Sequence, residues 1–362
     1  MQAKNLELSI PAFIASPKLP ALDGLRAISI LLVLFHHTIF SHKNTLIFKM
    51  DLGAVGVQIF FVISGFLITT LLLKERIANG NFSLKDFYIR RAFRILPLVF
   101  LFLLVLMLFN GMFSLKIPAI DFLTSLLFIG NLPIPNTDSW YTGHFWSLGV
   151  EEQFYLIFPV ILFLMPTRKY LVLLLLLIPG ITIVNYLHWH NTLGFFDNAM
   201  LDSLLYVAST GFGYGTVAIL VGSLFSVFCF THPIWISRLL GFQWLSLIIF
   251  SIALTLRMVF YESSSILLIF NTGIALMIIS NLDSKSKLSM ILDNKFISRI
   301  GVLSYSMYIW QQLFTFNQPW AVYWPWASSL VPNLAILFLV THISYEYFEK
   351  PIIQLRQKFL SK

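Results

Sequence analysis

An arginine and a histidine lie eleven residues apart in one apolar run, Arg26 and His37. Eleven residues of α-helix make about three turns plus 20°, so both side chains lie on one helix face, about 16 Å apart along the axis. A cation and a titratable base are costly to bury in a membrane helix unless they have a role. The pair predicts an anionic substrate held near Arg26 and proton transfer near His37.

His37 is our candidate for the catalytic base. Neutral imidazole near pH 7 can take the proton of a hydroxyl group. The alternative is a polar residue wetted at the membrane interface, since His36 beside it shows that a histidine there is not unique. His36 is rotated by about 100° from the Arg26 face, so we expect its loss to leave much of the activity.

The segment 88–97, at the start of a later apolar run, contains three arginines. Arg91 and Arg94 share a helix face, where two guanidinium groups could hold a phosphorylated ligand. Arg90 fits an ordinary basic loop that contacts lipid headgroups.

A polar cluster begins another apolar run at His144. His144, Ser147 and Glu151 share one helix face, and Glu152 adds a second carboxylate. An acidic residue at the centre of a membrane helix costs about 2.5–3.5 kcal/mol. We expect Glu151 or Glu152 to set the orientation and charge of His37; a buried structural network is the alternative.

Substrate contacts are assigned to His144, Trp146, Ser147 and Tyr305, although Tyr305 also fits a packing role. No metal site is expected, because the histidines lack spaced acidic or cysteine partners. The glycines at positions 53, 56 and 65 predict close helix packing.

The composition is that of a membrane protein. Hydrophobic residues make up 58% and charged residues 11% of 362 residues, against about 25% charged in soluble domains. The net charge of +8 comes without a long basic run, so we expect lipid contacts and no nucleic acid. We predict an all-α, polytopic helical bundle forming one domain over residues 1–362, with no separate soluble domain.

Ten spans are predicted, together with one short apolar segment at 119–132 that is re-entrant or interfacial. With both termini cytoplasmic, 20 of the 24 lysines and arginines lie on the inner side, as the positive-inside rule requires. The predicted spans are 22–40, 53–73, 95–113, 145–165, 170–188, 203–228, 239–261, 263–281, 300–316 and 328–348.

Five motifs together resemble the membrane-bound acyltransferase-3 family, of the O-antigen acetylase type. They are the Arg26-to-His37 spacing; the segment 56–68; Arg91 and Arg94 with Pro97; the segment 146–155; and the segment 304–310. The resemblance implies a bacterial inner-membrane enzyme that takes an acyl group, usually acetyl, from acyl-coenzyme A and delivers it to a carbohydrate hydroxyl.

On this interpretation Arg26, Arg91 and Arg94 would bind the coenzyme A donor, and no metal is needed. Many relatives carry a histidine where this chain has Gln311, so we assign that position no catalytic role. The alternative function is a transporter or exporter of a lipid-linked or polymeric glycan, since buried charges also suit a transport pathway. The acceptor, the acyl group and homo-oligomer formation stay open.

Overall fold

A computed structural model describes most of the chain. Its described residues form helices and turns without a strand, which confirms the all-α class. The predicted outer loop around Lys43 and Lys49, and most of 203–213 in the sixth predicted span, lie outside the description. The described residues are 9–19, 21–39, 50–137, 139–190, 206, 209, 213–240, 243–260, 264–282 and 286–360.

Fourteen α-helices are described, and we number them in chain order. They are α1 Leu22–Thr38, α2 Leu52–Asn79, α3 Leu84–Phe113, α4 Ala119–Leu126, α5 Phe145–Leu164, α6 Thr167–His190, α7 Tyr214–Thr231, α8 Pro233–Leu240, α9 Gln243–Val259, α10 Ser264–Ser280, α11 Lys287–Leu292, α12 Lys295–Trp310, α13 Leu330–Ile343 and α14 Lys350–Leu355. A π-helical turn, Ser344–Glu349, joins α13 to α14.

Four of these helices, α2, α3, α5 and α6, are long and apolar enough to cross a membrane. The pair α7 and α8, bent by 107°, could make a fifth span. The membrane character of the chain is therefore supported, and the count of ten spans stays a prediction. Helix α4 has 8 residues, or about 12 Å, so it is too short to cross, as expected of the segment 119–132.

The chain divides into two compact units. Unit 1 comprises Met1–Leu25, Gln58–Phe82 and Phe154–Ile297; unit 2 comprises Arg26–Val57, Ser83–Gln153 and Ser298–Lys362.

In unit 1, glycines bring the backbones of α2 and α7 together. A Cβ atom on Gly65 would lie 1.9 Å from the carbonyl oxygen of Ile219, and one on Gly222 would lie 2.1 Å from that of Val62. No larger side chain fits at either glycine without moving a helix. The expected packing role of Gly65 is therefore confirmed.

Arg76 closes the C-terminal end of α5, also within unit 1. Its guanidinium donates to the carbonyl oxygens of Leu162, Phe163 and Met165. The last carbonyls of a helix have no partner within it, and a cation there also suits the helix dipole.

In unit 2, α1 packs against the start of α2 at Gly56. A Cβ atom there would lie 2.5 Å from the carbonyl oxygen of Ser29. A Cβ atom on Gly53 would lie 2.8 Å from the imidazole ring of His36. The expected packing role of both glycines is confirmed, and Gly53 makes room for a side chain of the candidate site.

Candidate functional site

His37 has one hydrogen-bond partner that fixes its ring, Gln311. The Nδ1 atom of His37 lies 2.6 Å from Oε1 of Gln311, in the 3₁₀ turn Gln311–Leu313 that follows α12. An amide oxygen only accepts hydrogen bonds, so with Oε1 as the partner Nδ1 carries the hydrogen, and in the neutral ring Nε2 then keeps its lone pair. This is the tautomer in which Nε2 can act as a base.

A cavity of about 440 Å³ lies beside His37, which we call the histidine cavity. His37, His36 and His144 all contribute to its wall. This volume lies within the range of about 300–1,000 Å³ that is usual for small-molecule sites. The lining residues are Val33, His36, His37, Asp51, Gly53, Ala54, Val57, Thr137, Ser139, Trp140, Gly143, His144, Trp146, Tyr308 and Gln312.

His36 lies nearer to the site than its rotation on the helix suggests. Its Nε2 atom is 3.8 Å from a carboxylate oxygen of Asp51, and its ring centroid is 5.9 Å from that of His37. The two histidines therefore face different partners within one cavity, Asp51 for His36 and Gln311 for His37.

His144 lines the histidine cavity, and Ser147 lies against Tyr308, another of its lining residues. The Tyr308 hydroxyl lies 2.6 Å from Ser147 Oγ and donates to the carbonyl oxygen of His144. Ser147 Oγ also lies 3.1 Å from that carbonyl oxygen. The sequence predicted His144, Trp146 and Ser147 near the site. In the structure His144 and Trp146 line the histidine cavity. Ser147 contacts Tyr308, which also lines it.

Trp140 also lines the histidine cavity and is held in place by Gln312. The indole Nε1 of Trp140 donates to the carbonyl oxygen of Gln312 at 3.0 Å, and the Gln312 amide donates back to that of Trp140 at 2.7 Å. The rings of Trp140 and His37 meet edge to face, with centroids 5.3 Å apart. Sequence reasoning missed Trp140, because its role depends on a contact with a residue 172 positions away.

A second polar group comprises charged residues on α3 and α5 and a tyrosine on α12. Arg91 is 3.7 Å from a carboxylate oxygen of Glu152, and the guanidinium of Arg94 lies 5.5 Å above the ring of Tyr305. The Tyr305 hydroxyl donates to the carbonyl oxygen of Ile95. Tyr305 therefore belongs to the arginine group, and it does not line the histidine cavity.

Glu349 lies near the same group. Its carboxylate is buried and accepts hydrogen bonds from Ser306 and Ser344. The π-helical turn Ser344–Glu349 places this side chain, and the helix continues into α14 with Pro351 in its first turn.

The role of Glu151 and Glu152 at His37 stays a prediction. The sequence assigned the orientation of His37 to one of them, whereas the structure shows Gln311 in that position and Glu152 beside Arg91. A helix rise of 1.5 Å per residue puts Glu152 about 12 Å along the axis from His144. Glu152, one of the two carboxylates that the sequence assigned to His37, thus lies with the predicted donor-binding arginines.

Arg26 and His37 both lie on α1, as the spacing predicted. Among the described residues, no group of three or more His, Cys, Asp or Glu side chains is arranged to hold a metal ion. For a phosphorylated donor, Arg91 and Arg94 are the cationic pair that the structure brings together on one helix.

Comparison with known families identifies the class of protein. The family model described as acyltransferase domain, of the acyltransferase-3 family, matches residues 19–345. The chain belongs to this family of acyltransferases.

Three curated proteins illustrate the similarity. A provisionally named O-acetyltransferase of Staphylococcus aureus (strain COL) is 39% identical over 156 residues, covering 40% of this chain and 24% of the relative. The peptidoglycan O-acetyltransferase OatA of Listeria monocytogenes is 35% identical over 161 residues, with the same coverage of 40% and 24%. A provisionally named peptidoglycan O-acetyltransferase of Bacillus subtilis, YrhL, is 32% identical over 163 residues, again covering 40% and 24%.

The matched part of the chain thus spans about a quarter of the length of these relatives. No solved structure matches the chain.

Proposed function

We propose that the chain is an integral membrane O-acyltransferase that moves an acyl group from acyl-coenzyme A to a hydroxyl of a cell-surface or exported carbohydrate. The observation that carries the proposal is the contact between His37 Nδ1 and Gln311 Oε1 at 2.6 Å. It leaves the lone pair of Nε2 for general-base catalysis on a hydroxyl. The family supplies the class of reaction, and the histidine cavity supplies a place for it.

His37 handles the proton in both halves of the transfer. Nε2 takes the proton of the acceptor hydroxyl while the hydroxyl oxygen attacks the thioester carbonyl carbon. The C–S bond then breaks, the acyl group stays on the acceptor oxygen, and the coenzyme A thiolate recovers the proton from the imidazolium. His144 and Trp146 are the proposed contacts for the reacting groups, because both line the same cavity.

We assign donor binding to Arg91 and Arg94 on α3 and to Arg26 on α1. Guanidinium groups bind phosphates through charge-assisted hydrogen bonds. The carboxylate of Glu152 offsets part of the charge of Arg91 at 3.7 Å, which keeps that side chain in place before a donor binds. The thioester must then reach His37 through the interior of the protein.

Acetyl is the proposed acyl group, and a bacterial cell-wall or exported polysaccharide is the proposed acceptor. Both follow from the names of the relatives, which include a peptidoglycan O-acetyltransferase. We place the chain in the bacterial inner membrane with both termini cytoplasmic, on the strength of its charge distribution.

The decisive variant is His37→Gln, which keeps size and hydrogen bonding and cannot take a proton. We expect acetyl transfer by the full chain in nanodiscs to fall by about 100-fold or more, while coenzyme A binding is kept. His36→Ala is the matched control and should retain much of the activity, since His36 faces Asp51. The wild-type rate should rise with pH through one ionisation, because only neutral imidazole accepts the proton.

Two results would contradict this assignment. Transfer by His37→Gln at more than roughly a tenth of the wild-type rate would remove His37 from the role of base, given the usual size of that effect. A wild-type protein that neither hydrolyses nor transfers the acetyl group of acetyl-coenzyme A would favour the glycan exporter.

A further inference from the structure

A second cavity, of about 730 Å³, lies in unit 2, and we call it the loop cavity. It is formed by the loop after α3, the loop before α5 and the segment after the 3₁₀ turn at Gln311–Leu313. Its volume is larger than that of the histidine cavity and within the usual range for ligand sites. The lining residues are Phe113, Ser114, Leu115, Lys116, Pro118, Asn136, Ser139, Trp140, Tyr141, Asn317, Gln318, Pro319, Ala321, Val322 and Tyr323.

The loop cavity and the histidine cavity share part of their walls. Ser139 and Trp140 line both. The indole of Trp140 donates one hydrogen bond to the carbonyl oxygen of Gln312, the backbone carbonyl of Trp140 accepts a second from the Gln312 amide, and the indole contacts the ring of His37. A ligand in the loop cavity would therefore have one fixed aromatic side chain between it and the proposed base.

Residues with a left-handed backbone are frequent around the loop cavity. Among the described residues, seven other than glycine have a positive φ, and four of these seven line this cavity. They are Ser114, Lys116, Asn136 and Asn317, with φ between 48° and 62°. This conformation costs roughly 1–2 kcal/mol for Ser114 and Lys116, whereas asparagine adopts it more readily, and such strain clusters at ligand sites.

Other contacts hold the strained loops in place. The side-chain amide of Asn110 bonds both the N–H and the carbonyl oxygen of Ile117. The Tyr141 hydroxyl donates to the carbonyl oxygen of Asn317 at 2.6 Å. Burial raises the pKa of Tyr141, so this donor stays protonated across the pH range in which a histidine titrates. The cavity is thus shaped before a ligand arrives.

The chemistry of the lining suits a sugar. Trp140, Tyr141 and Tyr323 offer aromatic faces with polar edges, which can pack against a pyranose ring. The amides of Asn136, Asn317 and Gln318 offer donors and acceptors for hydroxyl groups. Lys116 is the one charged side chain among the lining residues that the structure describes, and it is exposed.

We propose that the loop cavity binds the acceptor glycan, and that Lys116 selects a glycan with an anionic group near the hydroxyl that is acylated. This proposal rests on the proposed acyl transfer and adds where the acceptor binds and which charge it carries. The predicted topology puts Lys116 on the outer side of the membrane, where a cell-surface glycan lies. A carboxylate and a phosphodiester offer the same chemistry to an ammonium group, and the acceptors used in the test separate them.

The coenzyme A donor is a poorer occupant for the loop cavity. It carries several phosphate charges, whereas the described lining offers a single ammonium group. The arginine pair Arg91 and Arg94 on α3 is the better match for those phosphates.

The test uses the full chain in nanodiscs with three oligosaccharides of equal length. One is a uronic-acid tetrasaccharide, the second is the same compound with its carboxyl groups reduced, and the third bears glycerol phosphate. Binding is measured by equilibrium dialysis without acetyl-coenzyme A, and acetyl transfer is measured separately. We expect Lys116→Met to weaken binding of at least one anionic compound by about tenfold and to change the neutral compound by less than twofold.

Two further variants serve as controls. Lys287→Met removes an exposed positive charge from α11 and should leave all three affinities unchanged. Tyr323→Ala should weaken all three compounds, because packing against an aromatic ring does not depend on charge. The compound that loses affinity in Lys116→Met identifies a carboxylate or a phosphate as the preferred group.

The outcomes separate this proposal from the proposed reaction. Equal affinities of wild type and Lys116→Met for both anionic compounds would overturn the selection by Lys116. Transfer that is unaffected by both Lys116→Met and Tyr323→Ala would overturn the acceptor site while leaving the acyltransferase standing. Binding that depends on Lys116 and Tyr323, without any acetyl transfer, would support the glycan site and contradict the proposed reaction.

Discussion

The proposed base, His37, depends on a neutral amide for its tautomer. Gln311 is fully buried, and its carbonyl oxygen lies 2.6 Å from Nδ1 of His37. A carboxylate in this place would favour the protonated imidazole, whereas an amide orients the ring without favouring its charge. We therefore propose that Gln311 is a positioning residue that acts on catalysis through His37.

Two variants of Gln311 test this role. Gln311→Leu removes the acceptor at similar size, so we expect a fall of about tenfold or more in kcat with little change in KM for acetyl-coenzyme A. Gln311→Glu keeps the acceptor and adds a charge that stabilises the imidazolium, so its pH–rate profile should move to higher pH. Rates and pH profiles like the wild type's in both variants would show that the contact is structural only.

Arg91 lies beside the carboxylate of Glu152, whereas Arg94 lies over the ring of Tyr305. Their variants must therefore be interpreted separately. We expect Arg91→Ala and Arg94→Ala each to weaken coenzyme A binding by about 1.5–3 kcal/mol, the size of a charge-assisted contact. Arg90→Ala should have a smaller effect. Titration of coenzyme A into each variant measures the loss, and equal losses for all three would indicate a general basic surface.

Arg91→Ala also leaves the carboxylate of Glu152 without the partner at 3.7 Å. Its thermal unfolding must therefore be measured beside its affinity. The double variant Arg91→Ala with Glu152→Gln removes both charges, and it should regain stability without regaining coenzyme A binding.

At the residue scale, the sequence identified candidate residues within a single helix better than it identified contacts between residues far apart in the chain. The spacing from Arg26 to His37 and the cluster from His144 to Ser147 follow from helical periodicity, which a sequence displays directly. The pairing of His37 with Gln311 joins residues 274 positions apart, and no local pattern encodes that. The two glutamates were placed at His37 because their burial demanded a partner, and that partner is Arg91 for Glu152.

At the scale of elements, α1 carries His37 and must lie close to the start of α2. Gly56 allows this approach, because any Cβ atom there would meet the carbonyl oxygen of Ser29 at 2.5 Å. Since a backbone atom cannot rotate away, the helices themselves would have to separate. The glycines were readable from the sequence as packing positions, but their partners were not.

Gly56→Ala should therefore destabilise the protein by about 1–3 kcal/mol, the usual cost of overpacking. Gly111→Ala is the matched control, since a Cβ atom on Gly111 has nothing within 4 Å. Alanine is the better helix former by about 1 kcal/mol, so Gly111→Ala should be neutral or stabilising. Thermal unfolding in detergent measures both, and equal melting temperatures for the two variants would argue against the close contact of α1 with α2.

At the scale of the whole molecule, the sequence predicts more spans than the helices demonstrate. Four helices are long and apolar enough to cross a membrane, and one bent pair of helices could make a fifth span. Helices α9 and α10 are apolar but shorter, at 17 residues each. Hydropathy marks an apolar run without showing where its helix bends or ends, so the count of ten rests on the charge distribution.

The topology prediction places both termini and the loop around α11 in the cytoplasm and the loop after α3 outside. Its basis is that 20 of the 24 lysines and arginines then lie inside. In a Cys229→Ser background, Lys116→Cys should react with a membrane-impermeant thiol reagent in intact cells, and Lys287→Cys should react only after the cells are opened. Both lysines are exposed, so access to the side chain is matched. Labelling of Lys287→Cys in intact cells would show that its loop lies on the outer side and would contradict the predicted topology. If Lys116→Cys reacted only in opened cells, its loop would lie on the inner side. The loop cavity could then not bind a glycan from the outer side of the membrane.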